Sequence, residues 1–300
     1  VRRMAALLVC CLLATAGLAG CAPGDTVSPT RSRAIAPGAT LSPSVSTSPS
    51  PTPLPSASSD PGSVPPPWLG TRPLPTDAAG FGEVRPTPPR LRHRAFTLPD
   101  SVAELPGHGF TSRILSPAPA SVIARSTWQP GCPVAASDLA WIRLAFWGFD
   151  HIRHTGELLV NAAAANDVVQ VFTELYRARF PIEQMTITTR PELDAEPTGD
   201  GNDTESFVCR PVRGSTVLSQ HAYGLAVDLD PFQNPYAKDV DGVRRVLPEL
   251  ASSYLDRGDL RPGMITPSGP VFAAFARIGW GWGGAWNSLR DYQHFSANGR

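Results

Sequence analysis

Apolar and polar positions fall into a regular pattern from residue 139 onward. Over 139–149, Ile142, Leu144 and Phe146 oppose Trp141, Arg143 and Ala145, the period of a strand with one face in a core. Gly156-Glu157-Leu158-Leu159-Val160 predicts its hairpin partner. Asn161 can cap a helix running from Ala162 to about Arg179, with Val168, Phe172 and Leu175 on one apolar stripe. Pro181 ends that helix, 182–189 returns as a strand, and the polar, Gly-rich stretch 194–204 reads as a loop. Leu225, Val227 and Leu229 alternate with Ala226, Asp228 and Asp230, which puts Asp228 on one face of a further strand. Ser268 and Pro270 mark the start of a helix over 271–278, and a last strand holds Tyr292, His294 and Phe295. Helices joined to a small antiparallel sheet predict an α+β fold rather than a doubly wound one.

The first third of the chain follows other rules. Arg2 and Arg3 precede an apolar run from Met4 to Leu18, too short to span a bilayer comfortably as a mature helix, so residues 1–20 read as an export signal. Leu18-Ala19-Gly20-Cys21 resembles the end of a bacterial lipoprotein signal, in which the cysteine becomes the lipidated N-terminus; the alternative is an ordinary signal with an incidental cysteine. A large share of the 33 prolines falls before residue 90, among Ser, Thr and Ala. Such a stretch buries too little apolar area to offset its ordering, so 21–95 is expected to be a disordered tether behind Cys21. Residues 96–131, punctuated by Pro99, Pro106, Pro117, Pro119 and Pro130, are expected to be a lead-in on the surface of a single domain over 132–300.

Charge and cysteines narrow the partners. Lys plus Arg equals Asp plus Glu at 26 each, so no bulk field draws the chain to nucleic acid, and a monomer is expected. Cys10 and Cys11 lie in the signal and Cys21 is the proposed anchor, which leaves Cys132 and Cys209. An exported chain meets an oxidising environment, so these two are expected to form a disulfide contributing about 2–4 kcal/mol, against the alternative of two separate buried thiols.

The candidate chemistry is split between two segments. Ser219-Gln220-His221-Ala222-Tyr223-Gly224-Leu225-Ala226-Val227-Asp228 is answered by Asp291-Tyr292-Gln293-His294. Two imidazoles and one carboxylate, His221, His294 and Asp228, can hold zinc with a fourth position open to water, the catalytic pattern of such sites. Asp291, three residues before His294, can exchange a proton with that water. The His221 and Asp228 pair alone is weak evidence, because exposed His and Asp pairs are common.

The whole arrangement resembles the zinc D-alanyl-D-alanine carboxypeptidase family, whose pattern Ser-x-His-x-x-Gly-x-Ala-x-Asp, followed by Glu or Asp-x-x-His, is met by Ser219, His221, Gly224, Ala226, Asp228, Asp291 and His294. The resemblance spans about 132–300. It is especially similar to the branch of phage endolysins and L-alanyl-D-glutamate endopeptidases, through Asp291 and through Glu205-Ser206-Phe207-Val208-Cys209-Arg210, Asn234-Pro235-Tyr236 and Gly281-Trp282-Gly283-Gly284-Ala285-Trp286. It implies that family's fold, a zinc cofactor and peptidoglycan as partner, while the lipoprotein-like leader with Cys21 leads to the expectation of a membrane-anchored place on the extracytoplasmic face. Position by position it implies a substrate-contacting Ser219, and an Arg210 that holds a substrate carboxylate or an oxyanion, with a surface ion pair as the alternative for Arg210. His154 is expected to be a groove or supporting residue rather than a ligand, and Gln220, Tyr223 and Trp286 are expected to line the groove. Two rival readings remain at this point, a non-catalytic cell-wall binding lipoprotein and a zinc amidase with another cell-wall substrate.

Overall fold

A computed structural model describes residues 62–300; the expected signal over 1–20, Cys21 and the tether up to residue 61 lie outside the described residues. The first sheet joins β1 (Ser112–Leu115), β2 (Leu139–Trp147) and β3 (Arg153–Asn161), all antiparallel in that order. β2 and β3 pair without interruption from Leu139 opposite Asn161 to Trp147 opposite Arg153, as their matched apolar alternation requires. Between β1 and β2 lies the short helix α1 (Ala120–Arg125).

Asn161 ends β3 and starts the next element, its side chain accepting a hydrogen bond from the Ala163 amide at 3.1 Å. The expected long helix is a 3-10 turn (Ala162–Ala164) followed by α2 (Ala165–Arg177). Val168, Val171, Phe172 and Leu175 of α2 bury against Ile142, Leu144, Leu158 and Val160, and against Val271 and Phe275 of the later helix α4 (Pro270–Arg277). Full burial of one such side chain is worth about 1.5–3 kcal/mol, so this interface dominates the stability of the domain.

The strand expected over 182–189 shrinks to β4 (Gln184–Met185), which pairs in parallel with β5 (Asp203–Thr204). Side chains take over from the ladder around it, since the Thr186 amide donates to Asp203 Oδ1 at 2.9 Å and the Glu183 amide to Asp230 Oδ1 at 3.1 Å. α3 (Arg190–Leu193) carries a capping box between Thr189 and Glu192. The remaining strands form two further antiparallel sheets. β6 (Ala226–Asp228) and β9 (Gly281–Trp282) flank β11 (His294–Ser296), while β7 (Tyr236–Val240) is flanked by β8 (Val243–Leu247) and β10 (Arg290–Asp291). The α+β class stands, with three small antiparallel sheets in place of one.

The upstream expectations differ from the structure over the described residues. Residues 62–95 pack onto the domain: Leu74 and Leu91 bury with Phe96, Phe232, Leu250 and Tyr254. Arg94 is 2 % exposed and grips Glu183 with Nε and Nη2 at 2.6 and 2.5 Å. A few well-spaced apolar side chains and one paired arginine are enough to order a Pro-rich stretch. The 96–131 lead-in is likewise structural, supplying β1 to the first sheet and burying Val122 and Ile123 of α1 against Leu139 and Phe207.

Candidate metal centre

Ser219 opens the site as the cap of a 3-10 turn (Gln220–Tyr223), its hydroxyl accepting the His221 amide at 3.3 Å. The turn closes at Gly224 with φ +65°, where a Cβ would lie 2.5 Å from the Asn161 nitrogen. Only glycine fits both the left-handed backbone and that approach, which is sealed by a 2.8 Å bond from the Asn161 amide to the Gly224 carbonyl. The chain then enters β6 and carries Asp228 back beside His221.

The register of β6 with β11 sets Asp228 directly opposite His294, so side chains 66 residues apart share one face at neighbouring positions. His294 Nδ1 lies 2.9 Å from Asp228 Oδ1, His221 Nε2 lies 3.1 Å from the same oxygen, and the two ring nitrogens are 3.2 Å apart. Ligands at about 2.0–2.1 Å on a tetrahedral ion stand about 3.3 Å from one another, close to this triangle. His221 Nδ1 donates to the Ser206 carbonyl at 2.6 Å, which fixes the tautomer with the Nε2 lone pair aimed at the other two donors. All three residues are buried, and the chemistry and spacing of the set fit a divalent ion of the zinc type.

Asp291 sits at the edge of this cluster. Its Oδ1 is buried with no hydrogen-bond partner among the described residues, as is His294 Nε2. Gly283 makes room for the segment, since a Cβ there would meet the Asp291 carbonyl at 2.6 Å and Asp291 Cβ at 2.8 Å. Burial and then the charge of Asp228 push the Asp291 carboxyl up to about 6. Burial also opposes ionisation of Asp228, yet the adjoining His221 and His294 hold its carboxyl well below the usual carboxylate range. Burial works against charging His221, and the neighbouring Asp228 outweighs it and raises the imidazole above its ordinary value. Two carboxylates in one site are thereby driven in opposite directions, one toward a permanent anion and one toward a proton carrier.

The cluster opens onto a cavity of about 660 Å³ lined by Asp228, Gln293, Glu205, Arg210 and Arg213. Arg210 is half-buried in that wall, with Nη1 donating to the Pro211 carbonyl at 3.3 Å and no ion pair among the described residues. Trp286 stands with its ring 5.5 Å from that of His294, anchored through Nε1 to the Gly299 carbonyl at 2.7 Å. Tyr223 lines a separate depression with Asn161 and Ala163, and Gln220 is half-buried outside the cavity wall. His154 lies away from the cavity, its Nδ1 2.8 Å from Asp100 and its Nε2 3.0 Å from Asp150. Apart from Leu98, no residue of 96–131 lines the cavity. Cys132 and Cys209 form a disulfide with an S–S length of 2.03 Å, tying the segment before β2 to the one carrying Ser206 and Arg210.

Three participants have no mark in the sequence that fixes their place at the site. The Ser206 carbonyl is main chain and belongs to no side-chain motif. Arg213 looks like one more surface arginine. Tyr236 belongs to the family-like Asn234-Pro235-Tyr236 segment, but its place opposite Asp291 is set by the long-range pairing of β7 with β10, which apolar alternation did not reveal.

Residues 213–297 match the family model for D-alanyl-D-alanine carboxypeptidase. The matched segment holds Ser219, His221, Asp228, Asp291 and His294, and it supports a peptidase of that metal-dependent family. Arg210, Ser206 and the disulfide precede it or reach outside it. Comparison with curated proteins gave no match, and comparison with solved structures gave none.

Proposed function

We propose that this chain is a zinc peptidase hydrolysing an amide bond in peptidoglycan stem peptides. The carrying observation is the triangle of His221 Nε2, Asp228 Oδ1 and His294 Nδ1, closed by strand register and flanked by the unpartnered carboxyl oxygen of Asp291. A bound ion would lower the pKa of a water molecule and polarise the scissile carbonyl. In this reading Asp291 takes a proton from the attacking water and returns it to the leaving amine; its buried, unpartnered oxygen beside the cluster and its raised pKa support that role. Ser206 and His294 keep His221 and Asp228 aimed at a common point. Arg210, on the cavity wall, is suited to a substrate carboxylate or to the oxyanion.

Asp rather than Glu at position 291 tilts the reading from removal of terminal D-alanine toward endopeptidase cleavage such as L-alanyl-D-glutamate. The lipoprotein-like end of the apolar leader favours export and a lipid anchor at Cys21, placing a monomeric enzyme on the extracytoplasmic face of the membrane beside its polymeric substrate. The test is mass analysis of muropeptides digested with the purified, zinc-loaded protein. Peptide release that chelation abolishes and zinc restores is expected. Asp291→Ala should keep metal near stoichiometric while slowing turnover about 10²–10⁴-fold. Full activity in that variant, or loss of zinc with it, would overturn the assignment.

A further inference from the structure

Arg210 and Arg213 both line the cavity that opens from the metal cluster, and they come from one short loop. That loop is a hairpin closed by the Pro211 and Leu218 bridge and by a 2.8 Å bond from the Val212 amide to the Val217 carbonyl. An exposed arginine at a hairpin tip normally keeps its side-chain freedom. Arg213 does not keep it. Its Nη1 donates to the Gly80 carbonyl at 2.7 Å and its guanidinium stands 5.6 Å over the Phe81 ring.

The platform beneath it is itself fixed. Arg245 stands 5.2 Å from the same ring and pairs with Asp77 at 2.5 Å. Asp77 Oδ1 accepts the Ala79 and Phe81 amides at 2.9 and 3.0 Å, and the Gly82 amide donates to Glu249 Oε1 at 3.0 Å. Arg213 reaches that Glu249 oxygen only at 3.9 Å, its one ion pair among the described residues. Arg210 has none, so of the two guanidiniums on this wall only Arg213 has a carboxylate, that of Glu249, at ion-pair distance among the described residues. Burial lowers the pKa of Arg213, the Glu249 charge raises it and the Arg210 charge lowers it again, and an anion bound there would ease the repulsion between the two guanidiniums. Glu192, Glu196, Asp200, Asp203 and Glu205 line the same cavity, so a bound carboxylate is favoured only where the two arginines stand.

We infer that Arg213, presented by the Gly80–Phe81 turn, is a specificity-determining residue that selects peptides carrying a second carboxylate beside the one Arg210 receives. This rests on the peptidase reading above and names its substrate class, a peptide with two carboxylates close to the scissile amide. The Gly80–Phe81 turn that presents Arg213 lies outside the family-matched segment, whereas Arg213, Arg245 and Glu249 lie within it.

The experiment compares two synthetic stem-type peptides that differ only in one carboxyl, free in the first and a carboxamide in the second. Each is assayed for kcat and KM, and for binding by calorimetry, against the full-length zinc-loaded protein and its R213Q, R213K, F81A and F81W variants. Wild type should favour the diacid. R213Q should lower the diacid-over-amide ratio of kcat/KM about tenfold, carried by KM, with R213K recovering part of it. F81A should reproduce the R213Q result and F81W should not. Equal treatment of the two peptides by wild type, or an unchanged ratio in R213Q, overturns the inference. If no peptide is cleaved, calorimetry still decides it: tighter diacid binding that R213Q abolishes sustains the anion site and sinks only the peptidase reading, while equal binding sinks the anion site.

Discussion

At the scale of single residues, the buried carboxylates divide into those with a partner and those without. Asp230 is fully buried; its Oδ1 accepts the Glu183 amide and its Oδ2 has no hydrogen-bond partner among the described residues. Burial, reinforced by the charge of Glu183, raises its pKa well above the ordinary aspartate value. The folded chain therefore binds this proton more tightly than the unfolded chain. The resulting stabilisation is complete below the unfolded pKa and is lost as pH rises through the folded one. Asp230→Asn, which mimics the protonated group, should unfold at higher urea than wild type at about pH 8, by about 1–3 kcal/mol, with the gap closing toward about pH 4. A gap that does not change with pH would mean that Asp230 does not titrate in this range. Asp291 also has a buried oxygen with no hydrogen-bond partner among the described residues, but the charges that act on its carboxyl are those of Asp228, His294 and His221 in the candidate metal cluster.

At the scale of elements, the site depends on one turn and one register. The 3-10 turn (Gln220–Tyr223) must end in a left-handed residue for β6 to start where Asp228 meets His221. Gly224→Ala is expected to cost about 2–4 kcal/mol, from the positive φ together with the clash on Asn161, and to lower bound zinc in the same preparation. Unfolding midpoints and metal analysis check both. These elements were legible in the sequence where apolar alternation was long: β2, β3, α2 and β6 follow it closely. The 182–189 strand was not, because Asp203 and Asp230 supply side-chain acceptors to the amides of Thr186 and Glu183 in place of a ladder. Nor was the β7–β8 hairpin, whose Lys238, Asp239, Arg244 and Arg245 hide its period behind charge. The three candidate donors that the structure brings together, His221, Asp228 and His294, could be picked out from the split His/Asp motif taken as a whole, because those side chains are chemically distinct. The carbonyl that orients His221 could not, since every residue carries one.

At the scale of the whole molecule, residues 62–131 are part of the folded body that carries the candidate site. Arg94 crosses from a stretch that looks like linker by composition and neutralises Glu183, which is itself fully buried. Arg94→Ala should therefore destabilise the protein by about 3–5 kcal/mol in urea unfolding, far more than an exposed arginine would. A change below about 1 kcal/mol would show that the segment only rests on the surface. Composition misled here because folding a short segment takes only a few buried anchors, and those at Leu74, Leu91, Arg94 and Phe96 are diluted by proline and serine.

The hydrogen bond from His221 to Ser206 has a consequence for anyone dissecting this centre by mutagenesis. Its acceptor survives replacement of residue 206 by any amino acid, so an alanine there would report only the loss of the hydroxyl's 2.7 Å bond to the Ala226 carbonyl and not the hold on the imidazole. Exchanging the following amide for an ester, which weakens that carbonyl while leaving every side chain in place, is the change that would expose its hold on the imidazole.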